Sequence, residues 1–192
     1  MSAVGDAYEF VFRGLLTEEA LDRAGRRVRD VSGMLDREYA EKLSLELLDN
    51  ELVAAARRMA TVYTAIAAFE NAARGLVAGT MLEAKGENWW SGVKTEIRNR
   101  AETRMENEAK HKFHAQRGDA PLNYTDLKDL LNIIRANWEA FEAFLPSTDW
   151  TASVFDSVER SRNVIMHSGQ LDPRDVERVG IHLRDWVTQV GT

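Results

Sequence analysis

The chain has no cysteine, which excludes disulfide bridges, thiolate metal sites and cysteine nucleophiles together, and is compatible with a reducing cytoplasm. It has only three prolines among 192 residues and no run rich in proline, glycine or serine, so no linker or low-complexity tract is expected. The first residues, Met1 to Asp6, lack the basic start and apolar stretch of a signal peptide. The longest apolar run, Met59 to Phe69, is bounded by Arg58 and Glu70 and falls short of the roughly 20 residues that span a bilayer, so no membrane segment is expected. Excess positive charge is also missing: at a net −6 the chain has no broad electrostatic hold on nucleic acid, and any such contact must be local. A hydrophobic content of 44% with 29% charged residues belongs to a soluble globular domain.

The pattern is helical nearly throughout. Tyr8, Phe10 and Phe12 alternate with polar neighbours, but Val11 interrupts the polar face, which leaves a strand or an irregular arm open. A helix is expected from Thr17 to about Leu35, and a second apolar stripe from Tyr39 to about Leu48. Asp49 and Asn50 cap a long core helix, Glu51 to Glu83, whose apolar residues and alanines occupy most sides and call for helices around it. Gly75 and Gly79 weaken that helix but permit close helix approach.

Gly86-Glu87-Asn88 breaks the chain before a stretch from Trp89 to about Arg117 that is polar on nearly every side. Leu127, Leu130, Leu131, Ile134, Trp138, Phe141 and Leu145 recur at steps of three and four, which predicts one helix ending at Pro146. Ser147 to Asp149 open another, carrying Val154, Val158 and Ile165 before Gly169 stops it, and Asp172-Pro173 starts the last. The expected fold is all-α, with residues 1–50 as an N-terminal arm and helical extension and residues 51–192 as the helical domain.

Chemistry concentrates in Arg162-Asn163-Val164-Ile165-Met166-His167-Ser168-Gly169. The segment resembles the signature of HEPN domains, an arginine, a polar residue, three more positions and a histidine at a helix end. Phe69-Glu70-Asn71-Ala72-Ala73-Arg74, Asn88-Trp89-Trp90, Tyr124-Thr125-Asp126-Leu127 and Asn137-Trp138-Glu139-Ala140-Phe141 resemble, in order, landmarks of one HEPN subgroup, covering roughly residues 55 to 180. The resemblance implies a HEPN-like helical bundle whose motif lines a cleft between two protomers and cuts RNA without metal, often as a toxin or defence effector with an antitoxin or other partner protein. A further subgroup carries, two residues after the histidine, a tyrosine modified by a partner nucleotidyltransferase. Gly169 stands there in this chain, which speaks against that regulation.

The residue types suit the implied reaction. A base with a near-neutral pKa can take the proton of an RNA 2′-hydroxyl, and histidine supplies it. A planar guanidinium that is always protonated can stabilise the phosphorane with paired hydrogen bonds. His167 is therefore the expected general base or acid, Arg162 the phosphate ligand, and Asn163 a residue that fixes the His167 ring or binds the ribose.

Arg162 and His167 lie about 140° apart on an ideal helix, which favours a site assembled across a homodimer. Glu70 and Arg74 are either a structural ion pair on the core helix or a support that reaches this site. The alternative reading is a HEPN dimer that binds nucleotide, RNA or a partner protein without cutting. No cofactor and no metal site are expected: His111, His114 and Glu108 share a helix face but lack a further strong ligand, and a solvated face is the expected role. The cations from Lys94 to Lys112 are diluted by interleaved glutamates, so a salt-bridged exposed helix is expected, and Trp89, Trp90 and Trp138 are expected in the core.

Overall fold

The computed structural model describes residues 31–191, and the chain divides into two compact units, 1–53 and 54–192. The expectations for the arm at Tyr8 to Arg13 and for the start of the first helix at Thr17 lie outside the described residues. Among the described residues every regular element is helical.

In the first unit, α1 runs Val31–Lys42, beyond the expected end at Leu35, and the stripe expected to Leu48 becomes a single 3-10 turn, Leu45–Leu47. Ser44 causes the interruption by taking a left-handed conformation at φ 51°, which no α-helix continues through. Asp49 then accepts hydrogen bonds from the N–H groups of Glu51 and Leu52 at 2.9 and 3.0 Å, capping the long helix α2, Asn50–Lys85.

In the second unit α2 is joined by α3, Thr95–Ala109; α4, Leu127–Ala136; a single turn α5, Trp138–Phe141; α6, Thr148–Met166; and α7, Pro173–Val190. By length and composition α2 qualifies as a membrane-crossing helix, because the helix extends well past the run between Arg58 and Glu70. In the fold one side of it forms the core: Ile66, Phe69, Ala73, Val77 and Met81 are buried. Phe69 meets the edges of Phe155 on α6 and Trp186 on α7 at centroid distances of 5.4 and 5.1 Å, which fastens α2 to both helices. Leu127, Leu130, Ile133 and Ile134 of α4 complete the core, each fully buried apolar side chain contributing roughly 2 kcal/mol.

The predicted helix from Leu127 to Leu145 is in fact two. Asn137 leaves helical geometry at φ −128°, ψ 35°, and its side-chain amide donates to the Ile133 carbonyl at 2.9 Å, satisfying a helix-end acceptor that a further turn would otherwise use. The apolar spacing survives the break because Phe141 and Leu145 are buried all the same. The starts of α4, α6 and α7 follow their capping residues: Asp126 accepts from Asp129 N–H, Ser147 from Trp150 N–H and Asp172 from Asp175 N–H.

Trp89, Trp90 and Trp138 pack half-buried against the core, and the Trp90 indole donates to Glu102 at 3.0 Å. Among the described residues no ion pair joins the cations of α3 to the glutamates interleaved among them. Arg100 binds the buried carboxylate of Asp129, and Arg104 donates to the Tyr124 carbonyl at 2.8 Å and lies 3.5 Å from Asp126, so this polar helix is clamped to the start of α4.

Candidate functional site

Arg162 lies on the last full turn of α6, and Glu70 and Arg74 lie one turn apart on α2. Phe69 and Phe155, which join these helices in the core, bring the two sets together. Glu70 Oε1 receives the Arg74 guanidinium at 2.7 Å, and Glu70 Oε2 lies 3.4 Å from Arg162 Nε. Glu70 thus pairs with Arg74 on its own helix and also contacts the motif arginine.

The carboxylate is mostly buried, at 17% exposure, against 14% for Arg74 and 32% for Arg162. Two cations share this one anion. Arg74 is also held by Asn71 Oδ1 at 2.9 Å and by the Thr125 carbonyl at 3.4 Å. Nε of both arginines is buried without a hydrogen-bond partner; for Arg162 the contact with Glu70 satisfies charge but not hydrogen-bond geometry.

These residues line a cavity of about 590 Å3 that also exposes Tyr63, Arg104, Arg117, Asn123 and Asp126. Four arginines face two carboxylates there, a local positive excess in a chain of net charge −6. Glu159, one turn before Arg162, has its pKa raised, first by burial and then by the nearby Asp126, with Lys128 opposing. Spacing alone singles out neither Glu159 nor Arg117 and leaves Arg104 as one of the diluted cations between Lys94 and Lys112; their positions depend on where α3 and α4 settle against α2 and α6.

His167 is placed differently. It is the C-cap of α6 at φ −100°, ψ 25°, with its side chain exposed and its N–H donating to the Asn163 carbonyl at 3.2 Å. Asn163 is also exposed, and it contacts His167 through this backbone bond; its side chain makes no hydrogen bond among the described residues. Within one chain, then, Arg162 faces the cavity while His167 stands outside it.

The helix end that presents His167 closes as a Schellman motif, with Ser168 N–H donating to the Ile165 carbonyl at 3.0 Å and Gly169 N–H to the Val164 carbonyl at 2.8 Å. Ser168 takes the left-handed position at φ 60° that glycine commonly fills. The helix therefore ends at Met166, before Gly169, and glycine is required at 169 by space: a Cβ there would come within 2.7 Å of Val164 Cγ1 and 2.8 Å of the Val164 carbonyl oxygen. Val164 and Met166 around this end are exposed apolar residues, at 39% and 53%. Glu108 is committed to Arg117, Nε to Oε1 2.6 Å. A second groove, of about 520 Å3 between α6 and α7, includes none of Arg162, Asn163 and His167.

Comparison with curated proteins and with solved structures gives no significant match. A profile of Swt1-like HEPN domains matches residues 64–191, a span that runs from the middle of α2 to the end of α7 and contains Glu70, Arg74, Arg162 and His167. On that match, which covers well over half of its length, the chain belongs to the Swt1-like HEPN family.

Proposed function

We propose that this HEPN protein is an endoribonuclease, acting as a homodimeric toxin or defence effector in the cytoplasm. The observation that carries the reading is the Glu70–Arg162 contact beside a cavity rich in arginine, with His167 held at the adjoining helix end. In this reaction the 2′-hydroxyl oxygen attacks its own phosphorus, the bond from phosphorus to the 5′-oxygen breaks, and a 2′,3′-cyclic phosphate and a 5′-hydroxyl remain. His167 takes the proton from the 2′-hydroxyl or returns one to the departing 5′-oxygen. Arg162, its guanidinium set by Glu70, stabilises the charge gathering on the phosphorane. Asn163 binds the ribose. No metal-bound water takes part in this scheme.

The separation of Arg162 from His167 within one chain favours a site built from two copies. Val164 and Met166 supply exposed apolar surface beside the motif for such a contact. Mixing two inactive variants tests this directly. Arg162→Ala and His167→Ala are each expected to be inactive, and their heterodimer carries one intact composite site, so about a quarter of parental activity should return on mixing. Inactivity of the mixture, with a monomer by light scattering, would contradict it. The second reading, a HEPN dimer that holds nucleotide, RNA or a partner protein without cutting, draws on the same cavity; RNA binding without any turnover would select it.

A further inference from the structure

The cavity extends well beyond the reach of Arg162, and its far side is built from residues of α3 and the following loop. Arg117 is oriented from two directions, by Glu108 at 2.6 Å and by the face of the Tyr124 ring 5.7 Å below its guanidinium carbon. Tyr124 is itself buried, its hydroxyl donating to the Gly118 carbonyl at 3.2 Å, and burial raises its pKa, so it remains a neutral platform. Neither Nη group of Arg117 makes a hydrogen bond among the described residues. Arg104 is fixed by the Tyr124 carbonyl and Asp126. Two guanidiniums are thus held at the cavity by partners that leave donors unused. Beside them the cavity offers the Tyr63 ring, 38% exposed, and the side chain of Asn123.

We infer that this cavity is a nucleotide subsite for single-stranded RNA next to the scissile bond, in which Arg104 and Arg117 bind a neighbouring phosphate and Tyr63 stacks on its base. The inference rests on the ribonuclease reading and gives that site its substrate-positioning residues. The volume of about 590 Å3 accommodates one nucleotide, and the lining supplies a cation pair, an aromatic face and an amide together. Reversing the charge balance of an acidic protein at one place only is what selective contact with a single phosphodiester requires.

The test uses the full chain and an uncleavable 2′-O-methyl RNA of mixed sequence, with binding followed by fluorescence anisotropy across a salt series. Arg117→Gln and Arg104→Gln are each expected to weaken binding about tenfold, and the slope of log affinity against log salt should fall by about 0.7 for each phosphate that the variant no longer neutralises. Tyr63→Leu should weaken binding severalfold, while Tyr63→Phe keeps the ring and the affinity. Arg178→Gln, on the α6–α7 groove, should bind like the parent. Melting curves identify a variant that has lost its fold, and Arg117, exposed and outside the core, is the decisive position.

Unchanged affinity and salt slope in Arg117→Gln and Arg104→Gln, with a parent that cuts RNA, would overturn the subsite and leave the nuclease standing. Loss of binding in those variants, with a parent that never cuts, would uphold the subsite and overturn the nuclease. A parent that binds no RNA overturns both.

Discussion

Replacing Glu70 by alanine removes the one anion shared by Arg74 and Arg162, and leaves two guanidiniums facing each other beside a cavity that already carries Arg104 and Arg117. An exposed ion pair is worth about 0.2–1 kcal/mol, and breaking a fully buried one costs about 3–5 kcal/mol. The three side chains retain 14%, 17% and 32% exposure, so water screens part of the loss and the expected cost is about 1–2 kcal/mol. For a chain of this size that lowers the melting temperature by roughly 2–8 °C.

Glu70→Gln keeps an acceptor for Arg74 but not the charge, and should fall between parent and alanine. RNA cleavage should drop further than stability does, since Arg162 loses the contact that aims it. A thermodynamic cycle isolates the coupling. Once Arg162→Ala has removed one of the two cations, Glu70→Ala should cost less than it does in the parent. Strictly additive effects, or an unchanged melting temperature in Glu70→Ala, would refute the shared-anion account.

Two further outcomes follow from the geometry. Gly169→Ala pushes a methyl into the Val164 backbone oxygen at 2.8 Å, which cannot move aside as a flexible side chain can, so the variant should lose about 1–3 kcal/mol in melting experiments and displace His167; parental stability would show that the helix end accommodates a Cβ. Glu159 holds its proton in the folded chain at a pH where the unfolded chain has released it, so its contribution to stability declines as pH rises from the ordinary carboxylate range through the raised value. Glu159→Gln should therefore melt above the parent at neutral pH and together with it below that range, and a lower melting point at neutral pH would reverse the assignment.

The sequence conveyed local features well and tertiary ones poorly. Apolar spacing located α2, α4, α6 and α7, because burial imposes a helical period on Ile66 to Met81 and on Leu127 to Ile134. Caps at Asp49, Ser147 and Asp172 were readable from residue type. The break at Asn137 was hidden, since Trp138, Phe141 and Leu145 continue the period across it and the interruption is one side-chain hydrogen bond. The left-handed turn at Ser44 left no glycine to mark it.

At the site, the residues of the motif were visible as a string, and so was the Glu70–Arg74 pair. That Glu70 also touches Arg162, and that Arg104 and Arg117 share their cavity, depends on how α2, α3 and α6 come together, which no spacing along one helix encodes. The separation of about 140° between Arg162 and His167 holds for one continuous helix. Their separation has a further cause, because His167 has already left helical geometry as the C-cap.

The most direct test incubates the purified chain and its His167→Ala variant with mixed RNAs in excess chelator and identifies the product ends. The account predicts that the parent cuts, leaving 2′,3′-cyclic phosphate and 5′-hydroxyl termini and sparing DNA and 2′-O-methyl RNA, while the variant folds normally and does not cut. Cleavage that stops with chelator, acts equally on DNA or persists in His167→Ala would contradict it.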